Sequence, residues 1–96
     1  MDILVTYDIA TTTPAGQRRL VRVAHVCEQY GTRVQYSVFE CRLSPASVER
    51  LAADLAGEID AKEDSVHIYQ FKGALRQARR TLGRSRPREL GDPWIL

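Results

Sequence analysis

Ninety-six residues make one domain, because chains divide into separate cores only beyond about 250 residues. With 44% hydrophobic residues and no low-complexity tract the chain is not of the disordered class; its apolar runs fall far short of the ~20 residues of a membrane span, and Met1 leads straight into an alternating strand with no signal-peptide pattern, so a cytoplasmic protein is expected. The net charge of +2 conceals a division: residues 71–96 carry +5 on a body of −3, which suits either a solvated tail or contact with a polyanion.

Ile3, Val5, Tyr7 and Ile9 alternate with Asp2, Leu4, Thr6 and Asp8, the period of a strand with one apolar face. Thr13 and Pro14 then form a helix start, a hydroxyl cap followed by a residue whose missing N–H costs nothing in the first turn. Leu20, Val23, Ala24 and Cys27 fall on one stripe of that helix, and Arg18, Arg22, His25 and Gln29 fall on the other, until Gly31 ends it. Strands are expected over 32–35 and 37–43 from their β-branched and aromatic content.

Ser44 and Pro45 repeat the start signal 31 residues after Thr13 and Pro14. Val48, Leu51, Ala52, Leu55 and Ile59 give a second amphipathic helix, and residues 64–71 a further strand. The order is thus β-α-β followed by β-α-β. Two such units interleave into a ferredoxin-like α+β sandwich, a four-stranded antiparallel sheet with both helices on one face. The other face stays bare, and Leu4, Tyr36 and Val38 are expected on it, so a homodimer that covers the face is predicted. The core is assigned to residues 1–72 and a basic segment to 73–96, with a short extra strand over 77–82 and a terminal DPWIL whose Trp94, Ile95 and Leu96 suit docking on a partner.

Few residues carry recognisable chemistry. Cys27 and Cys41 lack metal-ligand spacing and read as buried thiols. His25 and His67 have no partners at catalytic spacing, and neither a serine-type constellation nor a glycine-rich phosphate loop occurs. Asp8, a carboxylate at the end of an apolar strand, has two readings. It either caps the loop TTTP or, opposite its own copy across a two-fold axis, helps to hold a magnesium ion, which takes one or two carboxylates and keeps several waters. Arg18, Arg19 and Arg22, with Arg33 beyond the helix, form either a solvated face or a set of bidentate phosphate contacts.

The strand ending VTYDI and the run YGTRVQYSVFEC, Tyr30 to Cys41, resemble the two signature regions of the Cas-two family of CRISPR adaptation proteins. TTTPAGQRRLVRVA resembles the branch of that family found with type I-C systems, and the similarity continues through EDSVHIY, covering about residues 1–72. The resemblance implies a homodimer at the centre of an integrase assembly, flanked by Cas-one dimers, that captures duplex DNA for insertion as a new spacer. It also implies, for some members, a metal-dependent endonuclease acting on RNA or duplex DNA. Carried over, the family's metal-binding aspartate falls on Asp8 and its preceding aromatic on Tyr7, its basic helix positions on Arg19 and Arg22 with Arg18, and its strand arginine and phenylalanine on Arg33 and Phe39. Phe39 also alternates with Cys41 and Leu43, which would place it in the helix-covered core. Where many relatives have acids after the aspartate, this chain has Thr11, Thr12 and Thr13, leaving one carboxylate per subunit and a scaffold as the favoured function, with weak magnesium-dependent hydrolysis as an accompaniment. The alternative is a ferredoxin-like toxin ribonuclease that acts without the integrase.

Overall fold

A computed structural model describes residues 1–80 and 82. Its elements run β1 (Asp2–Asp8), α1 (Pro14–Tyr30), β2 (Gly31–Gln35), β3 (Val38–Arg42), α2 (Pro45–Ala56), β4 (Ser65–Phe71) and a single helical turn, α3 (Leu75–Ala78). The sheet has the order β2-β3-β1-β4, with every neighbouring pair antiparallel. This is the ferredoxin-like α+β arrangement.

Each long helix begins as its start signal dictates. The Thr13 side chain accepts from the Gly16 N–H at 3.1 Å and the Ser44 side chain from the Ser47 N–H at 3.2 Å, with Pro14 and Pro45 in the first turns. Helix α1 runs directly into β2 at Gly31, whose N–H donates to the Cys27 carbonyl. Gly31 has an extended backbone with φ near −164°, so a positive φ is not the reason for glycine here. Its Cα instead lies against β3, where a methyl group would strike the Glu40 carbonyl oxygen and the Cys41 sulfur.

Between the sheet and the helices lies the core: Ile3, Val5, Tyr7 and Ile9 from β1 and the residue after it, Phe39 and Cys41 from β3, Val23 and Cys27 from α1, and Val48, Leu51 and Leu55 from α2. Ile59, beyond the end of α2, packs against this cluster from outside the helix. Burial pushes the Cys27 thiol up to about 12, so at neutral pH both it and Cys41 stay protonated and inert.

Register places Leu4 beside Glu40 and Tyr69, and Thr6 beside Val38 and His67, on the face away from α1 and α2. Leu4 and Val38 are part-exposed and Tyr69 is 48% exposed, its ring stacked on His67 at 6.1 Å. Tyr36, expected on the same face, sits instead in the β2–β3 turn. Its carbonyl accepts from the Tyr7 hydroxyl at 3.3 Å, and the Arg33 guanidinium lies 5.7 Å from its ring centre.

The extra strand expected over 77–82 is not formed by its described residues, since Gln77 and Ala78 belong to α3 and Arg79, Arg80 and Leu82 have no regular structure. The chain after β4 folds back toward the open face. Leu75 is buried there, its N–H donates to Asp2 Oδ2 at 2.6 Å, and Arg79 pairs with Glu40. The backbone donation from Leu75, followed by the Arg42 hydrogen bond, holds the Asp2 carboxyl below the usual carboxylate range. Trp94, Ile95 and Leu96, the predicted docking residues, lie outside the described residues.

Candidate metal and nucleic-acid site around Asp8

Asp8 is the last residue of β1, paired in register with Ser65 of β4, and its side chain is exposed. It faces an open cleft of about 400 Å³ shared with Thr11 and Gln17 on one side and Tyr36 and Ser37 on the other. Such a wall offers one carboxylate, hydroxyls and an amide. Among the described residues no three histidine, cysteine, aspartate or glutamate side chains converge on a metal position. The donors fit a hard, water-rich cation such as magnesium, which needs only one or two carboxylates, and they do not fit a dehydrated cage built by one chain.

Tyr7 also borders this cleft but is only 5% exposed, its side chain on the core face of β1 with its ring 6.2 Å from that of Phe39. Burial pushes its hydroxyl up to about 12, so Tyr7 is a packed neighbour of the site and not a base within it. Phe39 is fully buried, the placement its core reading expects.

The four arginines separate into different roles. Arg18 is exposed on α1 beside Val21, Gln17 and Arg22. Arg22 is half-exposed and donates to Glu58 at 2.8 Å, a surface pair that water screens and phosphate can compete with. Arg33 is only 12% exposed. It lies 5.1 Å from the Phe39 ring centre and 3.6 Å from Glu28, and its buried Nε has no hydrogen-bond partner. At Arg33 a register shift against β3 leaves Val34 as the extra residue, a bulge that re-aims its neighbours.

Arg19, expected among the free phosphate contacts, is committed inside the fold. Its Nε donates to Asp64 Oδ2 at 2.7 Å and its terminal nitrogen to Asp64 Oδ1 at 3.3 Å, with the arginine side chain 15% exposed and that of Asp64 fully buried. Asp64 also accepts from the Ala10 N–H at 3.0 Å and the Asp60 N–H at 2.8 Å. The Arg19 bond above all, with the two backbone donations, overcomes burial and holds this carboxyl down at about 2. Sequence reasoning had no signal for Asp64 as a hub, because a lone acid ahead of a strand looks the same whether it is solvated or buried.

His25 is exposed on α1, and His67 is exposed on the open sheet face opposite Thr6, one same-face position along the ladder from the Asp8–Ser65 pair. No helix among the described residues is long and apolar enough to cross a membrane.

Comparison with known proteins bears on this geometry. The family model described as CRISPR associated protein Cas2 matches residues 1–79. The chain is 48% identical to the CRISPR-associated endoribonuclease Cas2 of Chlorobaculum tepidum and 37% identical to the CRISPR-associated endonuclease Cas2 of Halalkalibacterium halodurans, each match covering 100% of both chains. Among solved structures it resembles Streptococcus pyogenes Cas2 at pH 6.5, with a TM-score of 0.79 and 46% identity over 86% of this chain and 100% of that one. A family model that spans most of the chain, full-length relatives and a shared fold agree: this chain belongs to the CRISPR associated protein Cas2 family.

Proposed function

We propose that two copies of this chain pair through their open sheet faces and serve CRISPR spacer acquisition as the central scaffold that holds duplex DNA for a Cas-one integrase. The observation that carries this is the bare face itself. Leu4, Val38 and Tyr69 are aligned on β1, β3 and β4 on the face that neither α1 nor α2 covers and that α3 reaches only at the Asp2 and Glu40 end, leaving an apolar surface that a second copy would remove from water. A two-fold axis near the end of β1 would bring two Asp8 carboxylates toward each other, where a magnesium ion between them relieves their repulsion. DNA contact falls to Arg18, with Arg22 released from Glu58, because Arg19 is occupied and Arg33 is mostly covered. Contacts of this kind read the backbone and not the sequence.

A second activity on the same site is favoured by the names of the relatives, which are called endoribonuclease or endonuclease. A magnesium ion, when bound, would polarise a phosphodiester or activate a water. Asp8 would hold and orient it; one acid per chain and a protonated Tyr7 supply no evident general base, which makes hydrolysis of RNA or duplex DNA slow.

The experiment that separates the two uses Asp8→Asn in an integration assay with purified integrase and, in parallel, in a cleavage assay. Integration that persists while cleavage disappears supports the scaffold with hydrolysis as an accompaniment. Loss of both makes the acid essential to integration and contradicts the scaffold role as stated. Failure of the wild-type chain to co-purify with the integrase favours the toxin-type ribonuclease.

A further inference from the structure

Asp8 is joined to helix α1 by residues 9–13, which lie in neither strand nor helix and of which Thr13 caps α1. Contacts from Asp64 and from the first turn of α1 nevertheless hold Ala10 and Thr11. The Ala10 N–H donates to buried Asp64, the Gln17 amide donates to the Thr11 carbonyl at 3.4 Å, and Gly16 lies so close under the Ala10 carbonyl that a methyl group there would collide with its oxygen. On the other strand, the cross-strand partner of Asp8 is Ser65, the residue next to Asp64. Asp64 therefore grips the chain two residues after Asp8 and also starts the strand segment beside it. Asp64 is oriented in turn by the two-pronged Arg19 contact and by the Asp60 N–H.

We infer that Arg19 and Asp64 are positioning residues for Asp8, their ion pair holding the backbone on both sides of it so that its exposed carboxylate meets a divalent cation at a set place. This rests on the metal-binding role proposed above for Asp8. A fork-shaped guanidinium suits the task better than an ammonium, because two donors on two carboxylate oxygens fix the orientation of Asp64 as well as its charge. Without Arg19 the buried carboxylate would be uncompensated, and it would rehydrate or take up a proton. Either response loosens its hold on the Ala10 N–H. A carboxylate on a loosened loop must then be ordered when the cation arrives, which weakens binding without any change in its own chemistry.

The test is a titration of the full-length chain with Mn²⁺, followed by the electron paramagnetic resonance signal of the free ion. Wild type, Asp8→Asn, Arg19→Gln, Arg19→Lys and Asp64→Asn are compared at a temperature where far-ultraviolet circular dichroism shows each to be folded. Arg19→Gln and Asp64→Asn are expected to weaken Mn²⁺ binding about tenfold, the lower end of the usual outer-shell effect, and Arg19→Lys to recover part of the loss. Asp8→Asn should abolish binding. Should Asp64→Asn not fold, the two Arg19 variants carry the comparison, since each leaves Asp64 its two backbone donors. Wild-type affinity in a folded Arg19→Gln, whatever its thermal midpoint, would make the pair purely structural and overturn the inference alone. No Mn²⁺ binding by wild type, or unchanged binding in Asp8→Asn, would overturn the metal role of Asp8 and the inference with it.

Discussion

Phe39→Ala is the substitution that separates a core ring from a nucleic-acid contact. The ring is fully buried, lies 6.2 Å from the Tyr7 ring centre and has the Arg33 guanidinium 5.1 Å from its own centre. Truncating such a phenylalanine costs about 3–5 kcal/mol, because the hole it leaves is only partly refilled. Loss of the cation–π contact falls within that range, since Arg33 gains water as the ring goes. Small domains are stable by roughly 5–15 kcal/mol and respond to urea with slopes of about 1–3 kcal/mol per molar, so the midpoint should drop by about 2 M. Phe39→Leu keeps most of the volume and should cost less than about 1.5 kcal/mol. The assay is urea unfolding followed by far-ultraviolet circular dichroism at one fixed protein concentration, because pairing of copies adds a concentration-dependent term. An unchanged midpoint in Phe39→Ala, together with lost duplex affinity, would refute the core assignment and return the ring to the nucleic-acid surface.

Three further outcomes follow from named contacts. Asp64 has its folded value lowered, from the ordinary value near 3.8 to about 2, by its bond to Arg19. The stability this contributes is complete above about pH 4 and is lost as the pH falls through about 2, so the urea midpoint should decline across that window and decline less in Arg19→Gln. Gly31→Ala should destabilise by about 1–3 kcal/mol in the same urea experiment, because the added methyl meets the β3 backbone at Glu40 and the Cys41 sulfur; a stabilised variant would contradict the close approach of α1's end to β3. Arg18→Ala should weaken binding of unrelated duplexes about equally and reduce the dependence of affinity on salt, read by fluorescence anisotropy at several salt concentrations; a sequence-selective loss would contradict backbone contact.

Much of the fold was legible because local signals and global arrangement agree. The alternation of Ile3, Val5 and Tyr7 specified the buried face of β1, and the paired Thr13-Pro14 and Ser44-Pro45 starts specified both helices. Misplacements occurred where a residue's role depends on what arrives from elsewhere in the chain. Arg19 looks like its neighbours Arg18 and Arg22 on a helical stripe until Asp64, 45 residues away, claims it. Tyr36 has the alternation of a strand residue, yet the two-residue turn takes it, and the bulge at Val34 shifts what its neighbours face. The extra strand expected over 77–82 gives way to a helical turn, because Leu75 is held to the sheet by the Asp2 carboxylate and Arg79 by Glu40, long-range contacts that no local pattern announces. At the site, the YD pair and the missing acids of the threonine run were readable directly; the clamp behind them was not.

The account depends most on two copies closing over the bare sheet face. Sedimentation equilibrium of the full chain at micromolar concentration tests this directly, with Tyr69→Glu as the variant that places a charge on that face. The expected mass is twice the 10.9 kDa of one chain for wild type, shifting toward a single chain in Tyr69→Glu. A wild-type mass of one chain would contradict it, and a dimer that Tyr69→Glu leaves intact would place the interface elsewhere.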